Sequence, residues 1–418
     1  MNTNHYIEID QLRVGLYIHL DLSWMNHPFT LSHFKINNEE QIEKIKKIGL
    51  KKLRYDPKRS ECEPLAPEPE VKVEHASVSL AATEAKEPSV EQIRQERLKK
   101  LNHAIDESEK KFVVASEVIK NVNENLLKTP KASLEKATAV VDEIVDLALL
   151  EGDIVVHALN GNRSSDSHYQ HPLNVTVLAL MLAKSLSISK EEMQLLGVSA
   201  MLHDIGKAKL DSHLLKKSPL TEKEQIEYKL HSTYGAQLIH QLGLPARIGR
   251  VILQHHECWD GTGYPNHLKG DQIDPLATII FLANTYDNLC NPIQYTDAKS
   301  PYEALRMMFT HLRAKCNDEL LKRFIKSLGV YPPGSIVKLS DGNYATVISV
   351  NPEQPLRPYI QLQDDGISIT PQILNLKEEA NLNITSCMSI SQLSPTLLQT
   401  LNPRKRVNYF IDNVPSDL

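Results

Sequence analysis

No stretch of this 418-residue chain approaches the roughly 20 apolar residues of a membrane-spanning helix, and the start, MNTNHYIEIDQLRVGLYIHL, lacks the charged-then-apolar pattern of a signal peptide. A cytoplasmic protein without a membrane span is the expectation. Neither charge dominates. Forty-seven basic residues against 52 acidic ones leave a net charge of -5, which gives no footprint for nucleic acid or an anionic membrane. Cysteine is thin: Cys62, Cys258, Cys290, Cys316 and Cys387 are odd in number, widely spaced and without a CxxC pair, as suits reduced thiols rather than a disulfide frame. No internal repeat is present. At 41% hydrophobic and 24% charged residues the chain can bury a core and stay soluble, and its length asks for one large domain plus smaller ones.

Composition shifts along the chain mark five segments. Residues 1–60 read as a small α/β module: IEIDQLRVGLYIHL has short β-branched runs, and EEQIEKIKKIGLKKL has a helical period ending near Gly49. Residues 61–90 hold Pro64, Pro67, Pro69 and Pro88, seven Glu, no Gly and no aromatic residue, and read as a disordered linker. Residues 91–150 read as a helical connector broken at Pro130. From 151 to 328 the pattern is a train of helices, with capping pairs at Ser189 and Glu192, Thr221 and Glu224, and Ser300 and Glu303. Residues 329–418 read as a small β-rich module whose strongest hairpin signal is Asp341-Gly342. The fold class is therefore mainly α, with small flanking modules.

Histidine is what the chain has in quantity. Of its 17 His, seven with a clear helical context crowd into the middle: His168, His171, His203, His213, His231, His255 and His256. Beside them stand Asp204 and Lys207 in AMLHDIGK and the acidic loop HHECWDGTGYP. Imidazole and carboxylate are ligand types for a borderline divalent metal such as Fe, Mn or Zn, and one carboxylate can bridge two ions about 4 Å apart. Adjacent His203 and Asp204 can serve two metal positions only where the helix loses regularity, and Gly206 supplies such an end. His168 and His213 have no surroundings that ask for a ligand, Cys258 reads as a small apolar filler, and Trp24 as a core anchor of the first module.

Residues 165–328 resemble the HD-GYP family, a branch of the HD metal-dependent phosphohydrolases whose members typically hydrolyse cyclic di-GMP. The resemblance rests on His203-Asp204-Ile205-Gly206-Lys207 and on the run from His255 to Pro265. Residues 6–56 also resemble an uncharacterised N-terminal domain often joined to that family. The resemblance implies a helical HD-type fold, two divalent transition metal ions, Fe or Mn, and hydrolysis of cyclic di-GMP to pGpG or GMP by a metal-activated hydroxide. The implied ligands are His171, His203, Asp204, His231, His255, His256 and Asn284, with Asp204 as the bridge. Lys207 would act beside Asp204 in catalysis, and Lys207, Lys216, Gly261, Gly263 and Tyr264 would contact substrate, the glycines by letting backbone approach the nucleotide. A cyclic dinucleotide is the implied partner, with diguanylate cyclases of the GGDEF type and a second copy of the chain as further candidates.

Three departures from the family pattern stand out. Asn284 in LANTYDNL occupies the place of an aspartate ligand, Ser167 stands where some members carry a glutamate for a third metal, and Ile293 and Thr296 replace two cations of an RPYK-like stretch. They keep open a competing reading, a catalytically weak protein that binds a cyclic dinucleotide or a protein partner and signals by conformation. Phosphohydrolysis of another nucleotide also stays open.

Overall fold

The structure, a computed structural model, describes residues 5–20, 33–47, 52–64, 90–126, 128–149, 153–159, 170–294, 297–351, 354–362, 373–389, 392–394, 397 and 407–414. Trp24, Ser167, His168, Thr296 and residues 65–89 of the expected linker lie outside these. Contacts divide the chain into Met1–Pro88 and Ser89–Leu418.

In the first unit, β1 (His5–Glu8), β2 (Tyr17–His19), β3 (His33–Lys35) and β4 (Lys52–Tyr55) form an antiparallel sheet in the order β1-β4-β2-β3. Helix α1 (Glu39–Lys47) joins β3 to β4 and turns Ile42 and Ile45, three apart and so on one face, into a core with Ile7, Leu16, Ile18, Ile36 and Leu53. The helix expected to end near Gly49 spans Glu39–Lys47, and Lys52–Tyr55 pairs as a strand.

The second unit opens with α2 (Val90–Asn125) and α3 (Pro130–Leu149), Pro130 starting a helix where its missing N–H costs nothing. The helical reading of 151–328 fails at its first residues. Asp153–Leu159 is a strand, β5, whose Ile154-Val155-Val156 run is β-branched and suits extended backbone. Then follow α4 (Gln170–Ser185), α5 (Lys190–Leu202), α6 (Ser212–Lys216), α7 (Glu222–Lys229), α8 (His231–Gln241), α9 (Ala246–Gln254), α10 (Pro275–Cys290), α11 (Pro301–Thr310) and α12 (Asp318–Leu328). The capping pairs work as read: the Ser189, Thr221 and Ser300 side chains each accept the backbone N–H three residues on, and Glu224 and Glu303 close reciprocal boxes. Helix α4 is buried on every side from Pro172 to Ala183, which makes it the axis of the helical core.

The C-terminal strands are β6 (Ile336–Leu339), β7 (Tyr344–Ser349), β8 (Tyr359–Leu362), β9 (Ile373–Asn375), β10 (Ile384–Met388) and β11 (Asn408–Val414). The β6–β7 hairpin turns at Gly342, whose φ of 92° is open to glycine at little cost. These strands do not stand apart from the helices. They share one seven-stranded sheet with β5, ordered β10-β6-β7-β5-β11 with β8 and β9 branching from β7, and β11 runs antiparallel to β5 from Asp153 opposite Val414 to Leu159 opposite Asn408. Val407, Tyr409 and Phe410 are buried in the helical core. Among the described residues, no helix is long and apolar enough to cross a membrane.

Candidate metal centre

Six side chains from four places in the second unit converge. His171 comes from the first turn of α4, His203 and Asp204 follow α5, His231 opens α8, and His255 and His256 follow α9. The close approach has a backbone cause. Gly206 lies within a 3-10 turn, Ile205–Lys209, and a Cβ placed on it would sit 1.9 Å from the carbonyl oxygen of His231 and 2.4 Å from the amide nitrogen of Gly235. Glycine therefore serves here to bring the end of α5 against the start of α8, rather than to end the helix by a left-handed turn as its sequence position suggested. Asp204, at φ -98° and ψ 5°, has left helical geometry as expected, and this lets it face away from His203's direction.

Two groups of ligand atoms result, His171, His203 and Asp204 in one and Asp204, His231, His255 and His256 in the other, each with its atoms within 4.8 Å of one another. The Asp204 carboxylate is divided between them. Its Oδ2 faces His203 Nε2 at 3.3 Å and His171 Nε2 at 3.6 Å, while its Oδ1 faces His231 Nε2 at 3.5 Å and His255 Nε2 at 3.9 Å.

The imidazoles are oriented from behind. Nδ1 of His203, His231 and His255 lies 2.7, 2.6 and 2.6 Å from the carbonyls of Ala200, Tyr228 and Ile252, each three residues earlier in the last turn of its helix. A carbonyl oxygen can only accept, so the proton resides on Nδ1 and Nε2 presents a lone pair to the centre. His171 is the exception: its Nδ1 donates to a side chain, Asp287 Oδ2 on α10, at 2.6 Å.

The groups fit a cation. With Nδ1 protonated on both rings, the 3.4 Å approach of His231 Nε2 to His255 Nε2 sets two lone pairs against each other, and His256 Nε2 stands 3.1 Å from His231 Nε2. His203 Nε2 and Asp204 Oδ1 are buried without a hydrogen-bond partner among the described residues. Such orphans are costly unless something positive lies between them. Burial, and then the neighbouring imidazoles, hold His255 and His256 well below the usual imidazole range; burial takes His231 down to about 4. All three are thus neutral near pH 7. Burial alone would raise Asp204, but His203, Lys207 and His231 outweigh it and hold the carboxyl well below its ordinary value.

Lys207 donates to Asp204 Oδ2, and its Nζ lies 5.3 Å from the Tyr228 ring centre; against its burial, Asp204 and Tyr228 raise its ammonium above the ordinary value. Tyr264 stacks on His256, ring centres 4.7 Å apart, and Lys229 Nζ stands 5.3 Å over the Tyr264 ring. Gly263 has a different task from the one expected. A Cβ there would meet Cys258 N at 2.2 Å and His256 O at 2.5 Å, so this glycine lets the loop close on its own backbone. Gly261, at φ 83°, serves the same turn. The side chain of Lys216 lies outside the described residues, although its backbone is helical. Cys258 is a buried filler outside both groups, and exposed His213 joins neither. Asn284 is buried on α10, three residues before Asp287, and its Oδ1 accepts from Asn288 Nδ2.

Two contributors went unread in the sequence. Glu257, nearly fully buried, accepts the backbone N–H of Asn266 at 2.7 Å and of Leu268 at 3.0 Å, pinning the chain that follows Tyr264-Pro265. Asp287 carries no signal of its own beside Asn284 in the LANTYDNL run, although a position three residues on lies on the same helix face.

Comparison with known proteins agrees with this geometry. The HD domain model matches residues 121–317, the Domain of unknown function (DUF3391) matches 5–137, and the KOW domain associated with HD domain matches 336–395. A cyclic di-GMP phosphodiesterase of Pseudomonas aeruginosa is 26% identical over 85% of this chain and 84% of its own length. A 3'3'-cGAMP-specific phosphodiesterase of Vibrio cholerae is 28% identical over 56% of this chain and 54% of its own. A cyclic di-GMP phosphodiesterase response regulator of Xanthomonas campestris is 34% identical over 35% of this chain and 40% of its own. The chain thus spans most of the first relative and about half or less of the other two. With the His203-to-Lys207 and His255-to-Pro265 motifs assembled around one carboxylate, residues 121–317 belong to the HD domain family.

Proposed function

We propose that this chain hydrolyses a cyclic dinucleotide, cyclic di-GMP in the first place, to pGpG or GMP. The observation that carries the reading is the Asp204 carboxylate, each of whose oxygens faces its own histidine group. His171, His203, Asp204 and Asn284 would hold one divalent ion, and Asp204, His231, His255 and His256 a second, with Fe or Mn suited to such nitrogen and oxygen donors. When bound, two such cations lower the pKa of a water and neutralise charge on a phosphoryl group.

The chain's own residues would do the rest. The carbonyl-anchored imidazoles keep fixed tautomers and so need no reorganisation during reaction. Lys207, held as a cation against Asp204, can neutralise charge on a non-bridging phosphate oxygen without moving far. Tyr264, already stacked on His256, offers a flat face beside the centre, and Lys229 over that ring adds a second cation. Ile293, 61% exposed, offers no charge where family members grip phosphate, so binding should lean on Lys207 and Lys229.

The test is to purify the protein, measure its metal content, and follow turnover of cyclic di-GMP and of the cyclic GMP-AMP dinucleotide with product analysis. Hydrolysis that vanishes in Asp204→Ala is the expected result. Full metal content and tight nucleotide binding without turnover would overturn it. That outcome would favour a binding and signalling module, the reading that neutral Asn284 supports.

A further inference from the structure

The strand β11 enters the helical core on the side of α4 and α10 that carries His171 and Asp287. Asp287 is fully buried, and its carboxylate is met by three side-chain donors. Oδ2 accepts from His171 Nδ1 at 2.6 Å, while Oδ1 accepts from Asn174 Nδ2 and from Asn291 Nδ2, both at 2.8 Å. The same two amides hold the strand. Asn291 Nδ2 donates to the Val407 carbonyl at 2.9 Å and its Oδ1 accepts the Val407 N–H at 2.9 Å; Asn174 Oδ1 accepts the Tyr409 N–H at 3.1 Å. Asn174 lies three residues after His171, one turn along α4, and Asn291 caps α10 four residues after Asp287. The fully buried Tyr409 adds a hydroxyl contact to Tyr286 at 3.1 Å.

A buried asparagine costs several hydrogen bonds' worth of desolvation unless each is met, so two of them placed between one carboxylate and one strand form a unit that is satisfied only when all its members are present. Remove β11, and Asn174 and Asn291 are free to turn; their hold on Asp287 loosens, and His171 loses a fixed tautomer and direction. We propose that Asn174, Asn291 and the backbone of Val407–Tyr409 are positioning elements for the His171 metal position, so that docking of the C-terminal strand and occupancy of that one position promote each other. The second group, His231, His255 and His256, has carbonyl anchors or none from this unit and should be indifferent. The inference rests on the reading of the cluster as a two-position metal centre.

Linkage is reciprocal, so the unaltered protein can be tested first. Loading apo protein with Mn(II) should slow hydrogen exchange at the Val407 and Tyr409 amides, whose acceptors are Asn291 and Asn174. Mn(II) titration of Asn291→Ala and Asn174→Ala should then show one equivalent weakened by roughly 10- to 100-fold and the other unchanged, the range for loss of a partner behind a metal ligand. Leu196→Ala is the control: it opens the helical core on α5 without touching the strand or the clamp, so it should lower thermal stability and leave both equivalents intact. Two equivalents in the wild type with unchanged exchange at 407 and 409 would overturn the inference alone, as would a Leu196→Ala protein that loses the same equivalent. Absence of any Mn(II) binding in the wild type would overturn the metal reading together with it.

Discussion

Replacing Gly206 by Ala puts a methyl group in place of a hydrogen where the chain has no room for it. The new Cβ would lie 1.9 Å from His231 O, 2.4 Å from Gly235 N and 2.9 Å from His231 C. All three are backbone atoms, so no side chain can swing aside. Relieving the shortest contact to 3.0 Å requires the turn after α5 and the start of α8 to separate by about 1.1 Å or to rotate apart by as much. Overpacking of this kind costs about 1–3 kcal/mol, and the upper end applies because the obstruction is rigid. The consequence for the site is sharper than for the fold. Asp204 Oδ1 and His231 Nε2 stand 3.5 Å apart, and ligand distances must hold within about 0.2 Å for a metal to stay bound. The Gly206→Ala protein should therefore fold, melt earlier, and lose the position that His231 serves. Urea denaturation of the apo form gives the first number, and metal analysis after gel filtration the second. Gly243→Ala is the comparison, a glycine at φ 69° with nothing within 4 Å of a Cβ, which should lose about 1 kcal/mol from backbone strain and keep its metal. Wild-type metal content in Gly206→Ala would refute the claim that this backbone contact sets the distance between Asp204 and His231.

Other outcomes follow from the same geometry. Asp204→Ala should empty both positions, since one carboxylate serves both groups; metal analysis that still finds one equivalent would show the groups to be independent. Asn284→Asp should raise occupancy of the His171 position in a metal titration by adding a negative charge opposite a dication; no change would place Asn284 outside the shell. The apo protein should lose stability as pH falls from about 6.5 to about 4, because over that window an unfolded chain takes a proton on the His231 imidazole that burial denies the folded one. The loss should lessen in His231→Gln, as read by thermal melts at half-unit pH steps, and a slope equal to wild type would remove His231 from the account.

Much of this is legible in the sequence. The convergence of six side chains is legible through the family resemblance, because the motifs around His203 and His255 are long enough to be specific. Helix starts were legible because a cap is local: Ser300 and Glu303 need only each other. What failed were the long-range features. The pairing of β5 with β11 joins segments about 250 residues apart, and nothing in DIVVHAL names its partner; the run was absorbed into a helical domain because helices surround it in sequence. The glycines were read for their conformational freedom, whereas Gly206 and Gly263 are demanded by neighbouring backbone, which only a folded chain supplies. Asp287 looks in sequence like any acidic residue on a helix. Its task appears only when His171, over a hundred positions away, arrives opposite it.

The backs of the histidines also decide where this centre can be altered by mutation. His203, His231 and His255 lean on main-chain oxygens, which no substitution removes, so their tautomers persist through any change of neighbouring side chain that leaves the helices in place. His171 leans on a carboxylate that a single codon can delete, neutralise or lengthen. Natural drift and deliberate engineering would therefore act unequally on the two halves of the centre. The half containing His231 and His255 would be conserved in behaviour or lost whole, whereas the half containing His171 could be graded in small steps. Directed libraries meant to shift metal preference should be built around positions 174, 284, 287 and 291, where variation reaches the ligand without breaking its helix.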